Sequence, residues 1–166
     1  MSIAARSHTA STPALRVLNL AGVEYSVFEF EHDPNVRRYG TEVSEKLGIA
    51  SDRVFKTLMI LVDGEPITAL VPVSGQLDLK ALATAIGGKK AQLAGIAETE
   101  RRTGYQTGGV SPFGQRRTSP VVIDRTAQDH ETVYISGGRR GLEIEMRPDD
   151  LAMLTDARIA KIAAID

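Results

Sequence analysis

The residues that could do chemistry in this chain are one lysine in an apolar run, two glycine-rich clusters beside arginine pairs, and a carboxylate in a short strand pattern. Lys56 interrupts Val54-Phe55-Lys56-Thr57-Leu58-Met59-Ile60-Leu61-Val62. It either snorkels to water from the start of a strand or points, partly buried, into a pocket. In a pocket its ammonium could stabilise a developing oxyanion or hold a phosphate. The first cluster reads Gly104-Tyr105-Gln106-Thr107-Gly108-Gly109-Val110-Ser111-Pro112-Phe113-Gly114, and the second Ser136-Gly137-Gly138-Arg139-Arg140-Gly141. Ten of the 15 glycines fall in 87–141, so they mark either ordinary turns or backbone that closely approaches an anion or a carbonyl oxygen. Glu143, in Gly141-Leu142-Glu143-Ile144-Glu145, either faces outward or lines the same pocket.

Other chemistries find no support. There is no cysteine, which excludes disulfides, thiolate metal sites, iron–sulfur clusters and a thiol nucleophile. Gln115-Arg116 stands where a Walker A loop after Gly109 needs Lys and Ser/Thr. Phe113 replaces the second glycine of a nucleophile elbow. No G-x-G-x-x-G follows a strand, and His8, His32 and His130 are scattered. No metal and no cofactor is expected. Twenty Lys and Arg against 21 Asp and Glu leave a net charge of −1, so no overall positive field recruits nucleic acid and no DNA partner is expected. Basic pairs are local: Lys89-Lys90, Arg101-Arg102, Arg116-Arg117 and Arg139-Arg140. Two of them flank the glycine clusters, an arrangement that suits a phosphate-bearing ligand such as an RNA end.

The elements that must position these residues follow from pattern. With 166 residues the chain is one ordinary domain. Residues 1–11 read as a flexible leader without a secretory apolar region, and 12–166 as the folded domain. Thr12-Pro13 caps a helix over 14–20 that stops at Gly22. A strand is expected over 25–30, ending before Pro34, and a helix over 41–47, capped by Thr41 and closed by Gly48. Strands at 54–62 and 67–73 join through Asp63-Gly64. Helices follow over 77–86 and 94–102, strands over 121–123, 132–135 and 142–146, and a helix over 149–154. Residues 157–165 fit a strand or a helix. Strands and helices mix without a repeating unit, which predicts a mixed α/β (α+β) domain. No stretch approaches the ~20 apolar residues that span a bilayer, and the default location is cytoplasmic.

Taken together, the motifs resemble a known family. They are Glu31-His32-Asp33, Val54-Phe55-Lys56-Thr57-Leu58, Pro72-Val73-Ser74-Gly75-Gln76-Leu77-Asp78-Leu79-Lys80, Thr103-Gly104-Tyr105, Gly108-Gly109-Val110-Ser111-Pro112-Phe113-Gly114-Gln115, and Ser136 on through Glu145. In this order they resemble the YbaK/EbsC family, and within it the YbaK-type Cys-tRNA(Pro) deacylases. The resemblance runs from about Thr12 to the end of the chain. It implies a single domain with a mixed, partly barrel-like sheet and surrounding helices, like the editing domain of prolyl-tRNA synthetases. It implies trans-editing: hydrolysis of the ester joining cysteine to the 3′ end of tRNA(Pro), with prolyl-tRNA synthetase as partner. By resemblance Lys56 is the catalytic lysine. Gly108, Gly109 and Ser111 form one substrate loop, Ser136, Gly137 and Gly138 a second, and Glu143 is the acidic residue of the following strand. Two departures stand out. Phe30 occupies the place of a tyrosine at the substrate pocket, and Glu143 that of an aspartate.

The mechanism that the resemblance implies needs no nucleophile from the protein. The substrate's own thiol attacks its ester carbonyl, while Lys56 and backbone N–H groups stabilise charge on the carbonyl oxygen. Two other readings stay open. One is a related deacylase acting on Ala-tRNA(Pro) or another small aminoacyl-tRNA. The other is a non-catalytic module that binds tRNA ends or a synthetase.

Overall fold

A computed structural model describes residues 12–165, so the expected leader lies outside the described residues. Helix α1 (Pro13–Ala21) begins as its sequence predicts. The Thr12 hydroxyl accepts the Leu15 N–H at 3.2 Å, Pro13 sits in the first turn, and Gly22 closes the helix in the left-handed region at φ 70°. The same Thr12 hydroxyl donates to the Gly137 carbonyl at 2.6 Å. One side chain thus caps a helix and anchors the second glycine cluster.

Among the described residues, ten strands form three sheets. The largest runs in the order β5 (Ala91–Leu93), β2 (Phe55–Val62), β3 (Glu65–Pro72), β6 (Val121–Asp124), β9 (Arg158–Ala160). Its β2–β3 hairpin turns at Asp63 (φ 51°) and Gly64 (φ 84°), both left-handed as a two-residue hairpin with native twist requires. The β3–β6 and β6–β9 pairs are parallel, so the sheet is mixed. A second, antiparallel sheet has the order β1 (Tyr25–Glu29), β8 (Leu142–Met146), β7 (Val133–Arg139). The third pairs β4 (Gly75–Leu77) with β10 (Ala163–Ile165). The architecture is a mixed α/β domain. Its strands stay in open sheets, and among the described residues the two larger ones meet through one parallel bridge, Val54 to Tyr134.

The main core lies between α1 and the two larger sheets. Leu15 and Leu18 pack with Val133, Ile135, Leu142 and Ile144 on one side and Phe55, Leu70 and Ile123 on the other. Burying such side chains contributes ~1.5–3 kcal/mol each. On the other face of the large sheet, Ile60, Val71 and Val122 pack against Leu82 and Ala83 of α3 (Leu79–Ala85). A third cluster joins Val43 of α2 (Tyr39–Leu47) to Phe30, Val54 and Tyr134, roofing the small sheet. Helices α4 (Ile96–Thr103) and α5 (Pro148–Thr155) complete the domain.

Two expectations are corrected. Helix α2 starts at Tyr39 with Arg38 at the cap position, and Thr41 caps nothing. The tail that fitted strand or helix is two three-residue strands, β9 and β10. Buried Asp124 accounts for the split: its Oδ1 accepts the N–H of Ile162 and of Ala163, both at 2.9 Å, just where the chain leaves one sheet for another.

A candidate active site at the sheet seam

Lys56 is the second residue of β2, opposite Val71. Two residues earlier on the same face, Val54 bridges Tyr134 of β7 in parallel. Two residues further along both strands stand Lys56 and Ser136, and Ser136 pairs with Glu143 of β8, which in turn pairs with Phe28 of β1. The bridge therefore sets Lys56, Ser136 and Glu143 in one row across the seam between the sheets. Arg53 secures the seam by donating to the Thr132 carbonyl at 3.1 Å and lying 5.1 Å over the Tyr134 ring.

Lys56 is half-buried and has no ion-pair partner among the described residues. Burial holds its ammonium below the usual lysine value, and the nearby Arg38 guanidinium at the start of α2 adds to the effect. Lys56 therefore lies partly against protein and partly in solvent. Glu143 also points inward, with 2% of its surface exposed. Burial pushes its carboxyl up to about 8, against a smaller opposing influence from its hydrogen bond to the Tyr39 hydroxyl. At neutral pH the carboxyl is therefore protonated and can donate a hydrogen bond. Its Oε2 is buried without a partner, as is Oγ1 of Thr57, the residue after Lys56. Strand alternation turns Thr57 to the opposite face of β2 from Lys56, beside Leu70.

Tyr39 organises the roof. Its hydroxyl accepts the Gly141 N–H, its ring stacks on Phe30 at 6.0 Å, and the Arg140 guanidinium lies 5.8 Å from its centre. Burial, then the Glu143 carboxyl, raise its phenol well above the usual tyrosine value, so it stays neutral. Phe30 itself is buried, and its N–H donates to the Gly141 carbonyl at 2.9 Å.

The two glycine clusters meet, but protein rather than open space explains why they are glycine. Gly108 has φ 92°, and a Cβ there would collide with the Arg140 guanidinium. A Cβ on Gly109 would lie 2.7 Å from the Arg139 Cα, and one on Gly137 2.7 Å from Leu142 Cγ. Gly138, at φ 111°, sits against Thr12 and Tyr105. The second cluster is also no free loop. Strand β7 continues through it to Arg139, with the register broken between Ser136 and Arg139 as in a bulge. Ser136 Oγ accepts the Gly138 N–H at 3.1 Å. Ser111 is fully buried, and its Oγ accepts the Phe113 N–H at 3.2 Å. Both serines thus hold loop shape.

The arginines expected at the rim are mostly engaged. Arg139 pairs with Glu29 at 2.9 Å and Arg102 with Glu98 at 2.9 Å. Arg140 donates to the Thr107 carbonyl at 3.3 Å and to His32 Nε2 at 3.1 Å, while His32 Nδ1 reaches buried Glu42 at 2.6 Å. Arg140 thereby ties the first glycine cluster to the Glu31-His32-Asp33 segment. Tyr39, Arg38, Glu42 and Thr57 had no assigned role in the sequence reading. An aromatic beside two arginines at the start of a helix is the one local signal that could have drawn attention to Tyr39. Among the described residues no three His, Asp or Glu side chains are placed to hold a metal ion, and no helix is long and apolar enough to cross a membrane.

The chain is thus a mixed α/β domain that brings an unpaired lysine and a buried carboxyl to the seam between its two larger sheets. The family model for the aminoacyl-tRNA editing domain matches residues 33–154, which include Lys56, both glycine clusters and Glu143. The chain belongs to this aminoacyl-tRNA editing family. A protein of Enterococcus faecalis named "Putative Cys-tRNA(Pro)/Cys-tRNA(Cys) deacylase EbsC" is 35% identical over 152 residues, covering 91% of this chain and 92% of that one. A proline–tRNA ligase of Maridesulfovibrio salexigens is 35% identical over 104 residues, which cover 60% of this chain and 17% of the ligase. A solved structure titled as a putative trans-editing enzyme for prolyl tRNA synthetase superposes with a TM-score of 0.81 at 25% identity, covering 94% of this chain and 99% of that one.

Proposed function

We propose that the chain is a trans-editing hydrolase that removes cysteine from mischarged Cys-tRNA(Pro), with Lys56 as its catalytic residue. The observation that carries this reading is Lys56 itself: half-buried, free of any ion pair among the described residues, and in line with a protonated carboxyl in an editing-family chain. An ammonium held without a fixed counter-charge is available to a ligand's oxygen. Because burial precedes binding, such a donor needs little reorganisation when charge develops.

The aminoacyl ester lies across the seam, with its carbonyl oxygen at the Lys56 ammonium. Glu143 and Tyr39 bound the amino-acid end, and Phe30 lends the stacked wall behind Tyr39. Gly108, Gly109, Gly137 and Gly138, shaped by Ser111 and Ser136, hold the loops against the terminal nucleotide. The chain has no thiol of its own, and the substrate cysteine supplies the nucleophile. Its sulfur bonds to the ester carbonyl carbon, the bond from that carbon to the ribose oxygen breaks, and the ribose oxygen takes up the thiol proton. Water then opens the cyclic thioester. Intramolecular attack of this kind gains a large effective molarity when the pocket holds the reacting atoms in place. No cofactor takes part. Prolyl-tRNA synthetase is the proposed partner, supported by the match within proline–tRNA ligases.

Deacylation rates for Cys-, Ala-, Ser- and Pro-tRNA(Pro), measured side by side, test the reading. Cysteine should be removed fastest and serine far more slowly. Equal rates for serine and cysteine would reject thiol assistance, and faster removal of alanine would make the chain an alanine-clearing deacylase.

A further inference from the structure

The Lys89-Lys90 pair takes no part in the site at the seam. Lys80, Lys89 and Lys161 surround an open groove of about 520 Å³ between α3 and the start of β10, with Thr84 in its lining. All three lysines are exposed, and none forms an ion pair among the described residues. The groove's own acid, Asp78, is occupied in capping α3, its Oδ1 accepting the Ala81 N–H at 3.0 Å. Asp63 lies nearby, but its two carboxylate oxygens take the N–H groups of Lys89 and Lys90 at 3.0 and 2.9 Å. Elsewhere Arg101 and Arg102 pair with Glu98 and Arg139 with Glu29, while Arg116 and Arg140 reach backbone carbonyls. Three lysines without an ion pair thus line one groove, with Asp63 as the acid that acts on Lys89.

Its position relative to Lys56 gives the cluster meaning. Helix α3 packs on the sheet face that carries Val71, the cross-strand partner of Lys56. Gly88, just before Lys89, abuts Val62 at the far end of β2. Six strand steps separate Val62 from Lys56, roughly 20 Å at about 3.3 Å per residue.

We propose that this groove binds the phosphodiester backbone of the tRNA acceptor arm while the aminoacylated end reaches Lys56. Lys80, Lys89 and Lys161 contact phosphates without reading sequence, in keeping with a domain that takes its tRNA identity from elsewhere. The inference rests on the editing function proposed above.

The test is binding of a tRNA(Pro) transcript by fluorescence anisotropy from 50 to 200 mM salt. It compares wild type with the Lys80→Ala/Lys89→Ala/Lys161→Ala variant and with an Arg125→Ala/Arg147→Ala control on the opposite, α5 side. Each lost phosphate contact lowers the slope of log affinity against log salt by about 0.7–0.9. The triple variant should therefore lose about 2–3 from that slope and bind at least about tenfold more weakly near 0.1 M salt, with an unchanged melting temperature. The control should bind as wild type does. A triple variant with wild-type affinity and slope overturns the groove and leaves the editing reading standing. A wild-type protein that neither binds nor deacylates tRNA overturns both.

Discussion

The Tyr39 hydroxyl accepts the Gly141 N–H and hydrogen-bonds the Glu143 carboxyl, joining helix α2 to the turn before β8 at the one fully buried acid of the site. The bond favours the carboxylate form, so it restrains a shift that burial drives. Tyr39→Phe removes it. The Glu143 carboxyl should then titrate above its value of about 8, read from the side-chain carbon chemical shift against pH. Loss of the bond should also cost ~1 kcal/mol of stability. A Glu143 titration that moves down would show that the hydroxyl opposes ionisation instead.

Glu143 also links pH to stability. Its folded value, about 8, lies above the ordinary glutamate value of 4.5, so between those limits the folded chain holds a proton that the unfolded chain has released. The contribution is fully present below the unfolded value and is lost as pH rises toward 8, at a slope of up to ~1.4 kcal/mol per pH unit. Glu143→Gln, neutral at every pH, should flatten urea-unfolding stability between pH 5 and 8. Parallel profiles for the two proteins would mean that Glu143 is ionised in the folded state.

The glycine segments separate backbone necessity from ordinary turns. Gly108→Ala places a Cβ against Arg140 at φ 92° and should cost ~1–3 kcal/mol, from strain and the displaced guanidinium. Gly95 has no atom within 4 Å of a Cβ position and no positive φ, so Gly95→Ala should stay within about 0.5 kcal/mol of wild type. Thermal unfolding of both variants checks the contrast, and equal melting temperatures would contradict it.

Thr12 offers a fourth test. Thr12→Ala loses the cap on Leu15 and the bond to the Gly137 carbonyl together, so ~1–2 kcal/mol should go. Because Gly137 neighbours Ser136 in the row with Glu143, deacylation should fall as well. Full activity in a destabilised variant would confine Thr12 to the helix.

Much of this fold was legible because local signals agreed with tertiary ones. Thr12-Pro13, the apolar run of β2 and Asp63-Gly64 each specify their element without help. The three-residue strands β4 and β5 were not legible, since pairing with a neighbour, not their own pattern, makes them strands. Residues 157–165 were ambiguous because Asp124, distant in sequence, decides where that segment turns. At the site, Lys56 and Glu143 could be singled out, yet whether they pointed inward depended on a single inter-sheet bridge. The second glycine cluster suggested a ligand loop, whereas Gly137 and Gly138 let β7 bulge and still pack. Tyr39 escaped notice because its role exists only once α2 is folded over Glu143.

The central claim is that Lys56 performs the deacylation at the seam. It is tested most directly by single-turnover hydrolysis of Cys-tRNA(Pro) with wild type and Lys56→Ala at matched, saturating enzyme. Loss of one preorganised donor should slow the chemical step ~100–1000-fold with a melting temperature near that of wild type, since Lys56 makes no ion pair to lose. A folded Lys56→Ala protein that clears Cys-tRNA(Pro) at close to the wild-type rate would contradict the account.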